Sequence, residues 1–246
     1  DRGRIQVTCN RDDLDVGEHN LVHRAASLLK RDSGCGLGVR IALDKRIPIA
    51  AGLAGGSGDA AATLLGTNVL WDLRWPVERL RGLSLELGSD VPYCTMGGTA
   101  VGTRRGEELM RLDPLPKTWF LLVHPPIAVS ASFAYNHPLL GYNTQAPFAG
   151  RTAALRDAVA AMRQGDFAAL IFNRMETPVF SANPQLEKIK QRLLDAGCVA
   201  AAMSGSGPTM FGVCAGHAAA DRAAEAFPDF RTSVVCSVPF GVERIE

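Results

Sequence analysis

Residues Pro48 to Ala61 read Pro-Ile-Ala-Ala-Gly-Leu-Ala-Gly-Gly-Ser-Gly-Asp-Ala-Ala, with four glycines in the seven positions from Gly52 to Gly58. The run leads straight into Asp59-Ala60-Ala61-Ala62-Thr63-Leu64-Leu65, an Ala/Leu-rich helical pattern. Glycine lacks a Cβ and accepts positive φ, so backbone itself can approach a ligand here. The helix that follows supplies unpaired N–H groups and the positive end of a dipole. Together they make a seat for an anion, most often a phosphate.

Several phosphate loops can be compared with this one. A Walker A loop ends in Gly-Lys-Ser/Thr, and the chain has no Gly-Lys pair. Gly56-Ser57-Gly58-Asp59-Ala60-Ala61 fits the G-x-G-x-x-A form of a dinucleotide fingerprint. That fingerprint follows a strand directly, whereas Pro48 and its neighbours separate these glycines from the nearest strand pattern, Leu37 to Leu43. The His-Arg-Asp and Asp-Phe-Gly elements of protein kinases are absent. A plain flexible turn is the bland alternative, but it rarely needs so many glycines before a well-formed helix.

Composition narrows the partners. The 246 residues suffice for one large domain or two modest ones, and 47% hydrophobic with 21% charged residues suits a soluble globular protein. Lys+Arg 26 against Asp+Glu 25 leaves no basic excess for nucleic acid or an anionic membrane, so anion binding has to be local. No apolar run approaches membrane-spanning length and no signal peptide is visible. The six cysteines are scattered without a C-x-x-C, which reads as free thiols of a reducing cytoplasm. The five histidines lack metal-ligand spacing.

Periodicity predicts strands over Ile5–Cys9, Gly34–Leu43, Gly97–Thr103, Thr118–His124, Val199–Met203, Thr209–Cys214 and Thr232–Val238. It predicts helices over Asn20–Lys30, Asp59–Leu73, Trp75–Gly88, Thr152–Gln164, part of Phe180–Ala196 and His217–Phe227, with a short one from Ser132 to Tyr135. His137 to Gly150 reads as a Pro/Gly/Asn-rich loop. Thr118–His124 is apolar on both faces and reads as buried. The mixture is α+β, with a boundary near Pro114-Leu115-Pro116.

At this point the residues resemble a known family. Pro48-x-x-x-Gly52-Leu53-x-Gly55-Gly56-Ser57-x-Asp59-Ala60-Ala61 resembles the phosphate loop of the GHMP kinases, and Glu18 to Ala26, Leu87 to Tyr93 and Ser204 to Thr209 agree with it in order. The resemblance implies a two-domain GHMP-kinase-like fold. Its N-terminal domain (1–116) would resemble ribosomal protein S5 and contain a left-handed βαβ element, and its C-terminal domain (117–246) would be ferredoxin-like. It implies ATP and Mg2+ as cofactors, with a small-molecule acceptor. The Gly-Gly-Ser-x-Asp-Ala-Ala variant resembles the branch acting on cytidine-diphospho methylerythritol, in a cytoplasmic monomer or homodimer without nucleic acid or membrane partners. Two departures stand out. Ala54 replaces a common glycine, which is tolerable if its φ stays negative, and Gly58 replaces a common serine, leaving Ser57 as the loop's one hydroxyl. The chain opens without Met, and the Pro-Ala-Lys and Asp-Gly-Tyr-His motifs that precede the first strand in the family are missing, so the expectation is that the native N-terminus lies upstream.

Candidate roles follow from the same resemblance. Pro48, Gly52, Leu53, Ala54, Gly55, Gly56, Ser57 and Gly58 would form the ATP loop, with Asn20 and Lys45 near the nucleotide base. Ser57 is also a candidate magnesium ligand, and its local reading is a helix N-cap. Asp90, in the irregular stretch between Gly88 and Pro92, is the candidate catalytic carboxylate; locally it reads as a turn aspartate. An ordinary carboxylate is a weak base for an alcohol. In a loose phosphoryl-transfer transition state the proton leaves late, so the carboxylate mainly orients the hydroxyl. Tyr135 would stack on cytosine, against ordinary packing. Gly205, Ser206 and Gly207 would line the substrate and phosphate site, against a tight hairpin turn. Lys45 alone reads as solvated and Asn20 alone as a helix N-terminal residue. Another small-molecule kinase of the same fold, a non-catalytic nucleotide sensor and a Rossmann oxidoreductase are the competing readings.

Overall fold

The computed structural model describes residues 3–140, 156–161, 164, 166 and 171–245. Contacts group the chain into two units, one of Asp1–Ile49, Ala54–Pro114 and Val238–Glu246, the other of Ala50–Leu53 and Leu115–Ser237.

In the first unit, β1 (Ile5–Cys9) pairs in parallel with β2 (Val39–Leu43), Ile5 opposite Val39. Helix α1 (Leu21–Ser33) connects them, as a parallel pair requires. Asn20 caps it, its side chain accepting from Val22 N at 2.8 Å, and Lys30 and Arg31 lie in the last turn, where cations suit the dipole. The buried stripe Val22, Ala25, Ala26, Leu28 and Leu29 faces the core. Helix α2 (Gly55–Leu70) packs on α1, and the fully buried alanines Ala25, Ala26, Ala60 and Ala61 let the two come close. Leu64, Trp71, Leu80, Leu87 and Val91 complete this core, bringing in α3 (Val77–Ser84) and α4 (Val91–Met96). A hairpin of β3 (Ala100–Thr103) and β4 (Glu108–Arg111) follows.

The chain's last segment returns to this unit. Gly97 and Gly241 meet backbone to backbone: a Cβ on Gly97 would fall 1.8 Å from Gly241 N, and one on Gly241 2.1 Å from Cys94 O. The end of α4 therefore admits no side chain at either position.

The second unit is built on a four-stranded antiparallel sheet, β6 (Ala200–Met203), β7 (Met210–Cys214), β5 (Trp119–His124) and β8 (Arg231–Cys236) in that spatial order. In chain order its strands lie 2-3-1-4, the ferredoxin-like arrangement. Helices α5 (Ala131–Asn136), α6 (Glu176–Ala182) and α7 (Pro184–Asp195) precede β6, and α8 (His217–Glu225) precedes β8. Helix α7 packs on β6 and β7, and α8 on β5 and β8. The core between helices and sheet holds Leu121, Val123, Leu186, Leu193, Met203, Met210 and Phe227.

Several elements differ from the sequence expectation. Helix α2 starts at Gly55, inside the glycine run rather than at Asp59, because an Ncap at Ala54 lets Gly55, Gly56 and Ser57 serve as its first turn. The expected helix to Gly88 ends at Ser84, whose hydroxyl donates to Arg81 O at 2.7 Å, and i→i−3 turns carry the chain to Leu87. Gly97 and Gly98, at φ +64° and +75°, delay β3 to Ala100. The helix within Phe180–Ala196 is two helices, divided at Asn183 because Pro184 starts the second. Strand β5 is fully buried on one face only, at Leu121 and Val123; Phe120 and Leu122 on the other are half-buried. The loop over His137–Gly150 and the helix over Thr152–Gln164 lie largely outside the described residues, of which 156–161 are helical.

Candidate active site

Within the first unit the phosphate-loop candidates converge on the start of α2. Ala54 occupies the Ncap at φ +50°, ψ 26°, with no side-chain cap. Its φ is positive, so the condition set for tolerating alanine here is not met, and the Cβ lies where the left-handed region penalises it. Gly58 N donates to Ala54 O at 2.8 Å. The N–H groups of Gly55, Gly56 and Ser57 have no partner among the described residues, and neither has the Ser57 hydroxyl. Ser57 sits in the first turn, not at the N-cap. Pro48, in this unit, is half-buried, as is Leu53 in the second.

Lys45 is not solvated. Its side chain is 7% exposed and its ammonium pairs with the Asp59 carboxylate. A Cβ on Gly55 would lie 3.1 Å from Lys45 Nζ, so this cation rests against the first residue of α2. Lys45 N donates to Asn10 Oδ1 at 2.8 Å, fixing the chain just past β2. A cation beside the positive end of a helix is an unfavourable pairing for the protein alone. Asp59 offsets part of it, and an added anion would offset more. Asn20 is engaged at both ends of its amide, accepting from Val22 N and donating to Asp15 O at 2.5 Å. The next residue, Leu21, packs against Gly56, within 3.4 Å of a Cβ there.

Asp90 is the residue before α4, with Pro92 in the helix's first turn. It is exposed, and its carboxylate has no partner among the described residues. Its carbonyl accepts from Cys94 N at 3.1 Å, so the backbone is held while the side chain is free to meet a ligand. Helix α4 packs on α2. Burial pushes the Cys94 thiol up to about 11, and the Asp90 and Asp59 carboxylates add to the rise.

Within the second unit, residues Ala50–Leu53 pack on the Ser204–Pro208 turn that joins β6 to β7. Gly52, at φ +72°, approaches so closely that a Cβ would lie 2.3 Å from Ser204 O and 2.7 Å from Gly207 O. Ser204 Oγ donates to Gly52 O at 2.8 Å, and Thr209 N to Ala51 O at 3.3 Å. Gly205, Ser206 and Gly207 therefore form the hairpin turn that local sequence suggested and also meet the first glycine of the loop. His124 bridges Thr209 Oγ1 (3.3 Å) and Ser233 Oγ (3.2 Å), and burial followed by Arg231 lowers its pKa. Tyr135, on α5, is 55% exposed. Asn173, Glu176 and Lys190, which sequence reasoning missed, bond to the same turn or to one another. They are single polar residues, Asn173 in irregular chain and Glu176 and Lys190 on helices, the first two more than twenty-five residues from the turn, with no local pattern to mark them.

Comparison with known proteins adds the family. The GHMP kinases N terminal domain model matches residues 20–98 and the GHMP kinases C terminal model residues 155–231. The chain belongs to the GHMP kinase family. Within this family it is 40% identical to a 4-diphosphocytidyl-2-C-methyl-D-erythritol kinase of Synechococcus sp. (strain JA-3-3Ab), over 97% of this chain and 80% of the relative. A relative of the same name from Listeria monocytogenes is also 40% identical, over 85% of this chain and 72% of its own. A crystal structure of 4-(cytidine 5'-diphospho)-2C-methyl-D-erythritol kinase superposes with a TM-score of 0.77 at 31% identity, covering 96% of this chain and 83% of that one. Homoserine kinase from Cytophaga hutchinsonii, at 21% identity and TM-score 0.79 over 98% and 84%, shares the GHMP kinase fold. No helix among the described residues is long and apolar enough to cross a membrane.

Proposed function

We propose that this GHMP kinase transfers the γ-phosphoryl group of ATP to the 2-hydroxyl of 4-diphosphocytidyl-2-C-methyl-D-erythritol, a step of the non-mevalonate route to isoprenoid precursors. The observation that carries the reading is the open start of α2: three consecutive N–H groups without a partner among the described residues, with a buried lysine ammonium against the first of them. That arrangement suits a polyphosphate, and four-tenths identity to kinases of this substrate over nearly the whole chain supports the acceptor.

The roles divide by chemistry. Gly55, Gly56 and Ser57 donate N–H groups to phosphate oxygens, and Lys45 supplies positive charge beside them. Gly52 keeps that stretch of chain free of side chains, while Pro48, Leu53, Ala54 and Gly58 shape the remainder of the loop, and Asn20 fixes the start of α1 beside it. Magnesium, when bound, screens the phosphate charge. It keeps several waters and needs only one or two protein oxygens besides the phosphates, and the unpartnered Ser57 hydroxyl fits that need. Asp90 orients the acceptor hydroxyl and takes its proton as the new O–P bond forms and the bond from the γ-phosphorus to the leaving ADP oxygen breaks. Tyr135, exposed on α5, offers a ring for the cytosine face, and Gly205, Ser206 and Gly207 line the acceptor. Residues 1–116 and 117–246 act as the two family domains. The protein works in the cytoplasm as a monomer or homodimer, with small molecules rather than nucleic acid or membrane as partners.

ADP release coupled to a spectrophotometric reporter tests this directly. Turnover with 4-diphosphocytidyl-2-C-methyl-D-erythritol is expected, and none with homoserine or mevalonate. Turnover with either of those and not the first would reassign the substrate, while ATP binding without transfer to any acceptor would make the chain a sensor.

A further inference from the structure

The Ser204–Pro208 turn is held from outside by a polar network that the roles above do not use. Asn173 Nδ2 donates to Met203 O at 2.8 Å and to Gly205 O at 2.7 Å, spanning the entry to the turn. Asn173 Oδ1 accepts from Met175 N at 2.9 Å, which fixes the amide's orientation. One turn later, Glu176 Oε1 accepts from Met203 N at 2.8 Å. Its other oxygen meets Lys190 Nζ at 2.6 Å, with the two side chains 13% and 29% exposed. Both backbone groups of Met203 are thus bonded to side chains of the segment that opens α6, and α7 backs the carboxylate through Lys190. The far side of the turn is tied to Gly52 by the Ser204 hydroxyl.

A glycine-rich turn has little side-chain packing of its own to define its shape, and glycine loses the most conformational freedom when ordered. External hydrogen bonds to its backbone therefore set its position. We infer that Asn173 and Glu176 are positioning residues for nucleotide use: they lock the Ser204–Pro208 turn, and through Ser204 the backbone of Gly52. This rests on the reading that Gly52 belongs to the ATP loop. The amide and the acid do different parts of the work. Asn173 supplies donors to carbonyls, Glu176 an acceptor to an amide, and Lys190 holds Glu176 in place.

The test uses the full chain, three variants of the network and one control variant. Asn173→Asp keeps the acceptor for Met175 N and removes both donors. Glu176→Ala removes the acceptor for Met203 N, whereas Glu176→Gln keeps it and loses only the charge pairing with Lys190. Hydrogen exchange at the amides of Met203, Ser204, Gly207 and Thr209 is expected to quicken at least tenfold in Asn173→Asp and Glu176→Ala, and the KM for ATP to rise about tenfold with kcat within threefold. Glu176→Gln is expected to lower the melting temperature yet keep KM for ATP within threefold. Val179→Ala, a cavity in the same helix, controls for general loosening and should leave that KM unchanged. Unaltered exchange in Asn173→Asp would overturn the lock itself. Faster exchange with an unaltered KM would overturn its link to the nucleotide. Failure of the unmodified chain to bind ATP would refute the proposed function, and would remove the nucleotide role while the exchange data still decided the lock.

Discussion

Ala54 shows how one residue can carry a cost that its neighbours require. Its left-handed φ is what turns the chain into α2 at Gly55 and leaves three N–H groups open. For a non-glycine residue that conformation costs about 1–2 kcal/mol. Ala54→Gly should therefore stabilise the chain, by about 1 kcal/mol less whatever the added freedom of the unfolded chain takes back, while leaving turnover within twofold. Urea titration of both proteins at matched conditions checks this, and an unchanged or lower midpoint would mean that the left-handed conformation is not strained. The same residue marks a limit of sequence reading. The departure from glycine was visible, but the sign of φ was not, because it depends on how the loop enters the helix. Lys45 illustrates the other kind of illegibility. Asp44, Lys45 and Arg46 form a charged run after β2, and nothing local tells which side chain turns inward. The burial follows from Asp59, fourteen residues on.

At the scale of the element, α2 is where fold and chemistry meet. Its body is bland, an Ala/Leu surface buried against α1, and this was legible from the run Ala60 to Leu65. Its start was placed four residues late, because glycines ordinarily end a helix prediction rather than begin one. The Lys45–Asp59 pair is the device that keeps a cation at this end. Removing one partner of a buried pair costs about 3–5 kcal/mol, here reduced because Asp59 is 24% exposed. Lys45→Met should lower stability and raise the KM for ATP about tenfold. Adding Asp59→Asn should recover most of the stability, since no unpaired carboxylate remains, without recovering the KM. Thermal unfolding and steady-state kinetics of the single and double variants separate the two effects. Recovery of both together would mean that Lys45 serves only the fold. The split of α6 from α7 was written in Pro184, but a single apolar pattern across Phe180–Ala196 masked it.

At the scale of the whole molecule, local pattern and long-range contact contributed unequally. The α+β class, most strands and the two glycine runs were legible because periodicity and glycine content are properties of short windows. The contact of Gly52 with Ser204 and Gly207, the return of the chain's last residues to Gly97, and the bonds from Asn173 and Glu176 to Met203 all join residues distant in sequence. No single window contains them. Asp90 lies between these cases: its motif marked it, while its place at the start of α4, the helix that packs on α2, came from packing. It is also the residue to which the proposed mechanism assigns transfer, as opposed to nucleotide binding. The most direct measurement is therefore the turnover of Asp90→Asn with ATP and 4-diphosphocytidyl-2-C-methyl-D-erythritol, beside the affinity of the same variant for a non-hydrolysable ATP analogue. A fall in kcat of a hundredfold or more, about 2.7 kcal/mol of barrier, with nucleotide affinity within threefold, is the predicted result; near-normal turnover would contradict the assignment of the acid and the mechanism built on it.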